Sequence, residues 1–151
     1  MKQNVCLIAS SGGHFEQIMM LKKIEKDFNI FTVTEKTKYS NESDSDYFLM
    51  QINRKEILFP LKIIVVFFQS LIIFLKEKPD VVISTGALSV IPMFFISKIC
   101  NKKLIFIESF AKVKSPTLTG RLLYKFVDVF IIQWKELLEF YPNAIYLGSI
   151  Y

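Results

Sequence analysis

The sequence predicts an α/β domain with a Rossmann-like open parallel sheet and helices on both faces. Short apolar runs typical of buried strands alternate with segments of helical spacing along the 151 residues. Chains with this alternation form parallel sheets through crossover connections. A hydrophobic share of 52% is ample for a core, and the length suits about one domain. We therefore predict that residues 1–151 form a single domain.

Seven apolar runs are predicted strands, because each is short, rich in β-branched or aromatic residues and bounded by polar residues. They are residues 5–9, 30–34, 47–52, 80–84, 103–107, 129–132 and 144–147.

Five segments are predicted helices, because apolar residues recur in them every three or four positions. They are residues 14–26, 57–75, 87–100, 117–126 and 134–141. Residues 36–46 are polar and have no packing pattern, so we predict a mobile loop there.

Residues 57–75 form an unusually apolar helix, whose polar members are Lys62, Gln69 and Ser70. Its length could just span a bilayer. The segment could be a buried helix of the domain, a spanning helix, or a helix lying in the membrane interface. A spanning helix would put the two halves of one sheet on opposite sides of the membrane, so we rank it last. We favour membrane contact.

If this helix contacts the membrane, polar substitutions on it should release the protein without unfolding it. The positions we select from the sequence for that purpose are Ile63, Val66, Phe67 and Leu71.

The net charge of +5 is concentrated in one block. Residues 98–125 contain seven basic residues and one acidic residue, a local charge of +6. The overall charge is too modest to predict nucleic-acid binding. The two cysteines, Cys6 and Cys100, lie in apolar runs and are expected to be reduced thiols. The single histidine excludes a histidine-rich metal site. We predict no metal site and no cofactor.

Three turns at the carboxyl ends of predicted strands are candidate ligand sites, because open α/β sheets bind ligands there. The first is SSGGH at residues 10–14, where glycines permit close backbone approach. Neither dinucleotide-binding nor phosphate-loop spacing is present in it. Histidine is the residue type best suited to proton transfer near neutral pH, but a lone histidine at a helix start is also commonly structural. Both roles remain open from spacing alone.

The second turn contains Thr85 and Gly86, and the third contains Glu108 and Ser109. Hydroxyls at a strand-to-helix turn commonly cap the helix, which is the alternative to ligand contact for Thr85. Glu108 directly follows the predicted strand at residues 103–107, so its side chain either enters a ligand site or faces solvent. Spacing leaves these alternatives open.

Taken together, the motifs resemble those of a known family. They are SSGGH, STG, E-S followed by S-x-T-L-T-G-R, D-x-F-I-x-Q-W and Y-P-x-A-x-Y-x-G, in this order over nearly the whole chain. The chain resembles the membrane-anchor subunit of the two-subunit UDP-GlcNAc transferase of dolichol-linked oligosaccharide synthesis. It is similar also to the bacterial capsule and exopolysaccharide proteins of the PssD/CpsF/EpsE type.

This resemblance implies the N-terminal half of a GT-B fold, similar to the glycosyltransferase MurG divided at its domain junction. The domain would be the acceptor-side half of a split glycosyltransferase in capsular or exopolysaccharide biosynthesis. A separate catalytic chain would supply the C-terminal half and most nucleotide-sugar contacts, and transfer would need both chains. The acceptor would be a sugar on a polyprenyl diphosphate.

The resemblance also implies roles for particular residues. His14 is the candidate general base, and Glu108 is a second candidate catalytic residue. The candidate substrate-binding residues lie in the three turns and in the basic block, where lysine and arginine could hold a diphosphate. They are Ser11, Gly12, Gly13, Thr85, Gly86, Ser109, Lys112, Lys114 and Arg121.

Eukaryotic members of the family carry a spanning helix before the first strand, whereas this sequence begins at that strand. We therefore expect residues 57–75 and the basic block to hold the protein on the cytoplasmic face of the cell membrane as a monotopic or peripheral protein. The alternative is a non-catalytic peripheral scaffold that binds lipid-linked saccharide. A nucleotide-binding regulator is disfavoured by the missing phosphate-loop patterns.

Overall fold

The computed structural model of the protein describes residues 2–41 and 43–151, and within them seven strands form one parallel sheet in the order β3-β2-β1-β4-β5-β6-β7. The strands are β1 Asn4–Ala9, β2 Asn29–Lys36, β3 Tyr47–Met50, β4 Val81–Gly86, β5 Lys103–Ile107, β6 Val129–Ile132 and β7 Ile145–Tyr146. This arrangement confirms the predicted fold class.

Four α-helices and three 3-10 helices connect these strands in the described residues. The α-helices are α1 Gly13–Met19, α2 Phe59–Glu77, α3 Ile91–Ile99 and α4 Leu118–Leu123. The 3-10 helices are Met20–Lys26, Leu88–Val90 and Lys135–Glu139. The predicted helix over 14–26 therefore changes to 3-10 geometry at Met20, and the segment predicted as a helix at 134–141 is a short 3-10 helix.

Side chains alternate along β1 between two hydrophobic cores. Cys6 and Ile8 face the larger core beneath α2, α3 and α4, whereas Val5, Leu7 and Ala9 face a smaller core beneath α1. This alternation follows from the two-residue period of a strand. Both faces of the sheet are thus covered, which explains why the strands read as continuous apolar runs.

The region predicted as a mobile loop differs at its start, because β2 continues through Lys36. Asp46 holds the far end against the sheet, since its carboxylate accepts hydrogen bonds from the Thr32 backbone N–H at 2.8 Å and the Thr32 hydroxyl at 2.7 Å. One residue of the predicted loop, Glu42, lies outside the described residues. The mobility of the segment stays a prediction.

Candidate functional site

The turns singled out in the sequence meet at the carboxyl edge of the sheet. Strand β1 pairs with β2 on one side and β4 on the other, so the chain reverses its direction of winding beside β1. In open α/β sheets, ligands bind outside the strand ends at such a switch point. The backbone N–H of Ser10 donates to the carbonyl of Gly86 across this point at 3.4 Å.

His14 is held by two reciprocal contacts with Thr85. His14 Nδ1 lies 2.8 Å from the Thr85 carbonyl oxygen, and the Thr85 hydroxyl donates to the His14 carbonyl oxygen at 2.6 Å. A carbonyl can only accept, so Nδ1 carries the hydrogen in this contact. In the neutral imidazole, Nε2 then keeps its lone pair for accepting a proton. This contact fixes the tautomer of the half-buried ring and leaves Nε2 as its free acceptor nitrogen.

Two glycines shape the turns around His14. Gly12 has φ +79°, and Gly86 has φ +122°, conformations that side-chain-bearing residues rarely adopt. A Cβ at Gly86 would lie 3.2 Å from His14 Cε1, so the histidine ring packs directly on this glycine. The predicted residues Ser11, Gly12, Gly13, Thr85 and Gly86 are thus brought together with His14.

Glu108 is fully buried, with both carboxylate oxygens turned into the domain. Oε1 accepts from the Ser109 backbone N–H at 2.8 Å, while Oε2 accepts from the Thr117 backbone N–H at 3.1 Å and the Tyr141 hydroxyl at 2.8 Å. Burial and the hydrogen bond to Glu108 raise the pKa of the Tyr141 hydroxyl. This geometry suits a residue that positions the segment between β5 and α4. Ser109 is also buried.

A buried pair of glutamines, which the sequence reasoning did not select, joins this segment to α1. Gln133 Nε2 donates to the Glu108 carbonyl at 2.9 Å and to Gln17 Oε1 at 3.2 Å. Gln133 Oε1 accepts from the Ile150 backbone N–H at 2.9 Å. The signal in the sequence was a glutamine directly after the apolar strand β6, within the D-x-F-I-x-Q-W motif.

A cavity of about 380 Å³ opens at the same edge of the sheet. Its lining comes from the ends of β1, β2 and β3, from the turn after β4 and from α4, and comprises Ser10, Glu35, Gln51, Ile52, Asn53, Arg54, Ala87, Leu88, Leu118 and Thr119. Ser10 belongs to the turn that contains His14, and Ala87 follows Gly86, on which the His14 ring packs. The cavity therefore borders these two turns, while His14 itself is not among its lining residues.

Glu35 is the buried acid of this cavity and was also missed from the sequence. Burial raises the pKa of its carboxyl above the ordinary value, and smaller contributions from the Ser89 hydroxyl and the Ile52 backbone lower it. The predicted second strand ended at residue 34, whereas β2 continues through Lys36 and carries Glu35 to the cavity.

The basic candidates are exposed and lie outside the cavity lining. Lys112 and Lys114 stand in the segment before α4, and Arg121 stands on α4 itself. Leu118 and Leu122 are exposed on the same helix, at 59% and 60%. Basic and apolar side chains are therefore mixed on this part of the surface.

Helix α2 exposes much of its apolar surface. It is the one helix in the described residues that is long and apolar enough to cross a membrane, with a mean hydropathy of 2.0, and only 22% of that stretch is buried. Its exposed large apolar residues are Leu61, Ile64, Val65, Phe68, Ile72 and Leu75. Together with Phe95 and Ile99 of α3 and Leu118 and Leu122 of α4, we call them the apolar face.

Two polar residues of α2, Gln69 and Ser70, lie toward the domain. Ser70 is fully buried, and Gln69 Oε1 accepts from the Met50 backbone N–H at 2.8 Å. The residues selected from the sequence for membrane release are therefore partly wrong: Val66 is fully buried, and Phe67 and Leu71 pack against the core.

Across residues 2–41 and 43–151, the structure brings together no group of three or more histidine, cysteine, aspartate or glutamate side chains that could hold a metal ion.

Comparison with known proteins places the chain among oligosaccharide biosynthesis proteins. The family described as "Oligosaccharide biosynthesis protein Alg14 like" matches residues 5–150. The UDP-N-acetylglucosamine transferase subunit of Schizosaccharomyces pombe is 36% identical over 77 residues, which are 48% of this chain and 37% of that protein. The corresponding subunit of Candida albicans is 36% identical over 90 residues, 56% of this chain and 41% of that protein. The matched part thus spans about two fifths of these relatives.

Solved structures share the fold at low sequence identity. MurG of Acinetobacter baumannii superposes with a TM-score of 0.75 at 16% identity, over 97% of this chain and 45% of that one. UDP-N-acetylglucosamine 2-epimerase of Rickettsia bellii also gives 0.75, at 15% identity, over 99% of this chain and 46% of that one. The chain therefore has the fold of one half of these larger proteins.

Proposed function

Since the chain belongs to the Alg14-like family of oligosaccharide biosynthesis proteins, we propose that it is the acceptor-side, membrane-associated subunit of a split glycosyltransferase. Its relatives are named transferase subunits, which supports a role in a complex. The partner chain supplies the C-terminal half of the GT-B enzyme and most contacts to the nucleotide-sugar. We place the reaction in capsular or exopolysaccharide synthesis, with a sugar on a polyprenyl diphosphate as acceptor.

The orientation of His14 is the observation that carries the proposal. An acceptor hydroxyl oxygen attacks the anomeric carbon of the nucleotide-sugar while the bond from that carbon to the diphosphate breaks. The hydroxyl proton passes to His14 Nε2, and the nucleoside diphosphate leaves with the bonding electrons. Since Nδ1 donates to the Thr85 carbonyl, the ring is held with Nε2 as the accepting atom. General-base catalysis by a positioned side chain contributes about 10² to 10⁴ in rate.

The apolar face supports attachment to a membrane, and we propose its cytoplasmic side. Leu61, Phe68 and Ile72 are each more than half exposed on α2, an arrangement costly in water and favourable in the lipid interface. Lys112, Lys114 and Arg121 stand near the exposed leucines of α4 and would meet anionic headgroups. In this arrangement α2 lies in the interface, and the sheet stays in the cytoplasm.

Reconstitution tests the enzyme proposal. The chain is purified from its native membranes, and the co-purifying chain that binds nucleotide-sugar is identified and produced separately. Sugar transfer to lipid-linked acceptor extracted from those membranes should require both chains. In the reconstituted pair, His14→Ala should lower kcat by about 10² or more, whereas Lys23→Ala, an exposed control, should not change it.

Two results would overturn parts of this proposal. Full turnover by the isolated chain would contradict the division between two chains. Unchanged kcat with His14→Ala would remove the histidine from catalysis and favour the non-catalytic scaffold that binds lipid-linked saccharide.

A further inference from the structure

The cavity beside His14 is suited to a small polar ligand. Its volume of about 380 Å³ lies at the lower end of the range for ligand sites. Asn53 and Thr119 contribute an amide and a hydroxyl, and Leu88 and Leu118 contribute apolar walls. This mixture of hydrogen-bonding and apolar groups matches a sugar, whose hydroxyls need polar partners and whose C–H faces pack on apolar side chains.

Glu35 is the group that decides which ligand fits. Its side chain lines the cavity although the residue is only 6% exposed. Within the described part of the chain, no basic side chain forms an ion pair with it at 4 Å or less. The Ser89 hydroxyl and the Ile52 backbone N–H interact with the Glu35 carboxylate, and a carboxylate has about four acceptor positions, so it can accept further hydrogen bonds.

The negative charge of an ionised Glu35 disfavours a phosphate at this position, because two anions repel each other. Arg54 lines the same cavity, but it is exposed and does not pair with Glu35 at ion-pair distance. Sugar hydroxyls are donors that a carboxylate can accept on both oxygens. A pair of adjacent hydroxyls therefore matches the two oxygens of one carboxylate.

We propose that Glu35 binds adjacent hydroxyls of the acceptor's terminal sugar and thereby selects the acceptor, with Asn53 and Thr119 completing the subsite. This inference rests on the proposed function for the identity of the ligand as an acceptor. Glu35 is then a specificity-determining residue, whereas proton transfer stays with His14. The ring of the sugar lies against Leu88 and Leu118, and its reacting hydroxyl points toward the turn that holds the histidine.

Burial of Glu35 supports this assignment. Hydrogen bonds from a bound sugar stabilise the ionised carboxylate, so binding should lower the pKa of Glu35 from its raised value in the free protein. Arg54 is the charged group that faces the same cavity, whereas the lining residues from the β1 turn and α4 are uncharged.

A direct test uses the full chain in detergent micelles with carboxyl-¹³C-labelled glutamate. The Glu35 resonance is assigned by its loss in Glu35→Gln. The probes are the methyl glycosides of glucose, galactose and mannose, and tetrahydropyran is the ring control without hydroxyls. At least one glycoside should shift the Glu35 resonance and lower its pKa, and tetrahydropyran should do neither.

Variants make the test sharper. Glu35→Gln should weaken glycoside binding by about tenfold, because one acceptor oxygen becomes a donor. Glu35→Asp should keep part of the binding, and Glu139→Gln, an exposed control on a 3-10 helix, should bind normally. The proposal is overturned if no glycoside shifts the Glu35 resonance, or if Glu35→Gln binds glycoside as tightly as the native chain.

In the reconstituted pair, Glu35→Gln should raise the KM for acceptor while leaving kcat and the KM for nucleotide-sugar nearly unchanged. Unchanged acceptor KM with active transfer would overturn the role of Glu35 and leave the proposed function intact. Glycoside binding that depends on Glu35, without any transfer by the pair, would overturn the proposed function and leave a saccharide subsite.

Discussion

Tyr141 donates a 2.8 Å hydrogen bond to Glu108 Oε2 in the interior, and the backbone of Gly120 lies against both groups. This contact joins the chain after β6 to the segment between β5 and α4. Glu108 also accepts from two backbone N–H groups. Two backbone donors and one hydroxyl surround a carboxylate that solvent does not reach.

Replacing Glu108 with glutamine should therefore destabilise the fold. The glutamine amide has only one acceptor oxygen. Its NH₂ group would therefore lie opposite a backbone N–H or a hydroxyl that donates to the carboxylate in the native protein. We expect a loss of about 1–3 kcal/mol in the free energy of unfolding, measured by urea denaturation. Any loss of transfer should follow the loss of folded protein. A variant with native stability and a lowered kcat would instead place Glu108 in catalysis.

Gly120→Ala should be poorly tolerated. An added Cβ would lie 2.6 Å from the Tyr141 hydroxyl and closer still to Glu108 Oε2, and the hydrogen bonds restrict how far either group can shift. Overpacking of this kind costs about 1–3 kcal/mol or more. Gly13→Ala is the matched control for stability, because open space surrounds its Cβ position. Equal melting temperatures for the two variants would contradict this account.

The apolar face should control membrane attachment. The combined substitutions Leu61→Ser, Ile64→Ser, Phe68→Ser and Ile72→Ser should release the protein from vesicles of phosphatidylcholine and phosphatidylglycerol. Co-sedimentation measures this release. These side chains are exposed, so circular dichroism should show an unchanged fold. Val66→Ser is the contrasting control, since Val66 is fully buried and its loss should destabilise the fold. Binding that survives the four serines would place the attachment elsewhere.

Glu35→Gln should stabilise the protein at neutral pH. The folded-state pKa of Glu35 lies above its ordinary value of 4.5, so the folded protein holds a proton that the unfolded chain releases. Stability therefore falls as pH rises from about 4.5 through the folded-state pKa. The Glu35→Gln variant has no carboxyl group to ionise at this position, so it avoids this loss of stability. The variant's advantage in free energy of unfolding should be largest above that pKa and narrow toward pH 4.5.

Glu139→Gln serves as the control for that titration, because Glu139 is exposed and should show no comparable advantage. An advantage for Glu35→Gln that stays constant across the pH range would contradict the role of the carboxylate's charge.

Alternation of apolar runs and helical segments was sufficient to predict the strands. The central strands β1 and β4 are buried on both faces and read as continuous apolar runs, whereas both residues of β7 are exposed. β5 and β6 have the predicted bounds. The segment after Met20 was harder, since the same apolar spacing suits an α-helix or a 3-10 helix. The turns around His14 were identifiable because their glycines adopt conformations that other residues avoid.

Glu35 could not be found in this way. A single acid near the end of a strand gives no indication of burial, and its surroundings come from segments as distant as Thr119. The orientation of α2 was also beyond the sequence. Nearly every position of that helix is apolar, so the pattern does not distinguish buried Val66 from exposed Phe68.

The buried stripe of α2 contains Ser70 and borders Gln69, while Leu61, Phe68 and Ile72 face outward. Docking on the sheet therefore removes only part of the apolar surface of α2 from water. In aqueous solution the apolar surface that stays exposed is available for self-association. The oligomeric state would then depend on the protein concentration. A lipid surface would cover the exposed apolar side chains in place of a second protein molecule and would lower the free energy of α2 further. The free energy gained at a lipid surface would then add to the free energy that α2 gains by docking on the sheet.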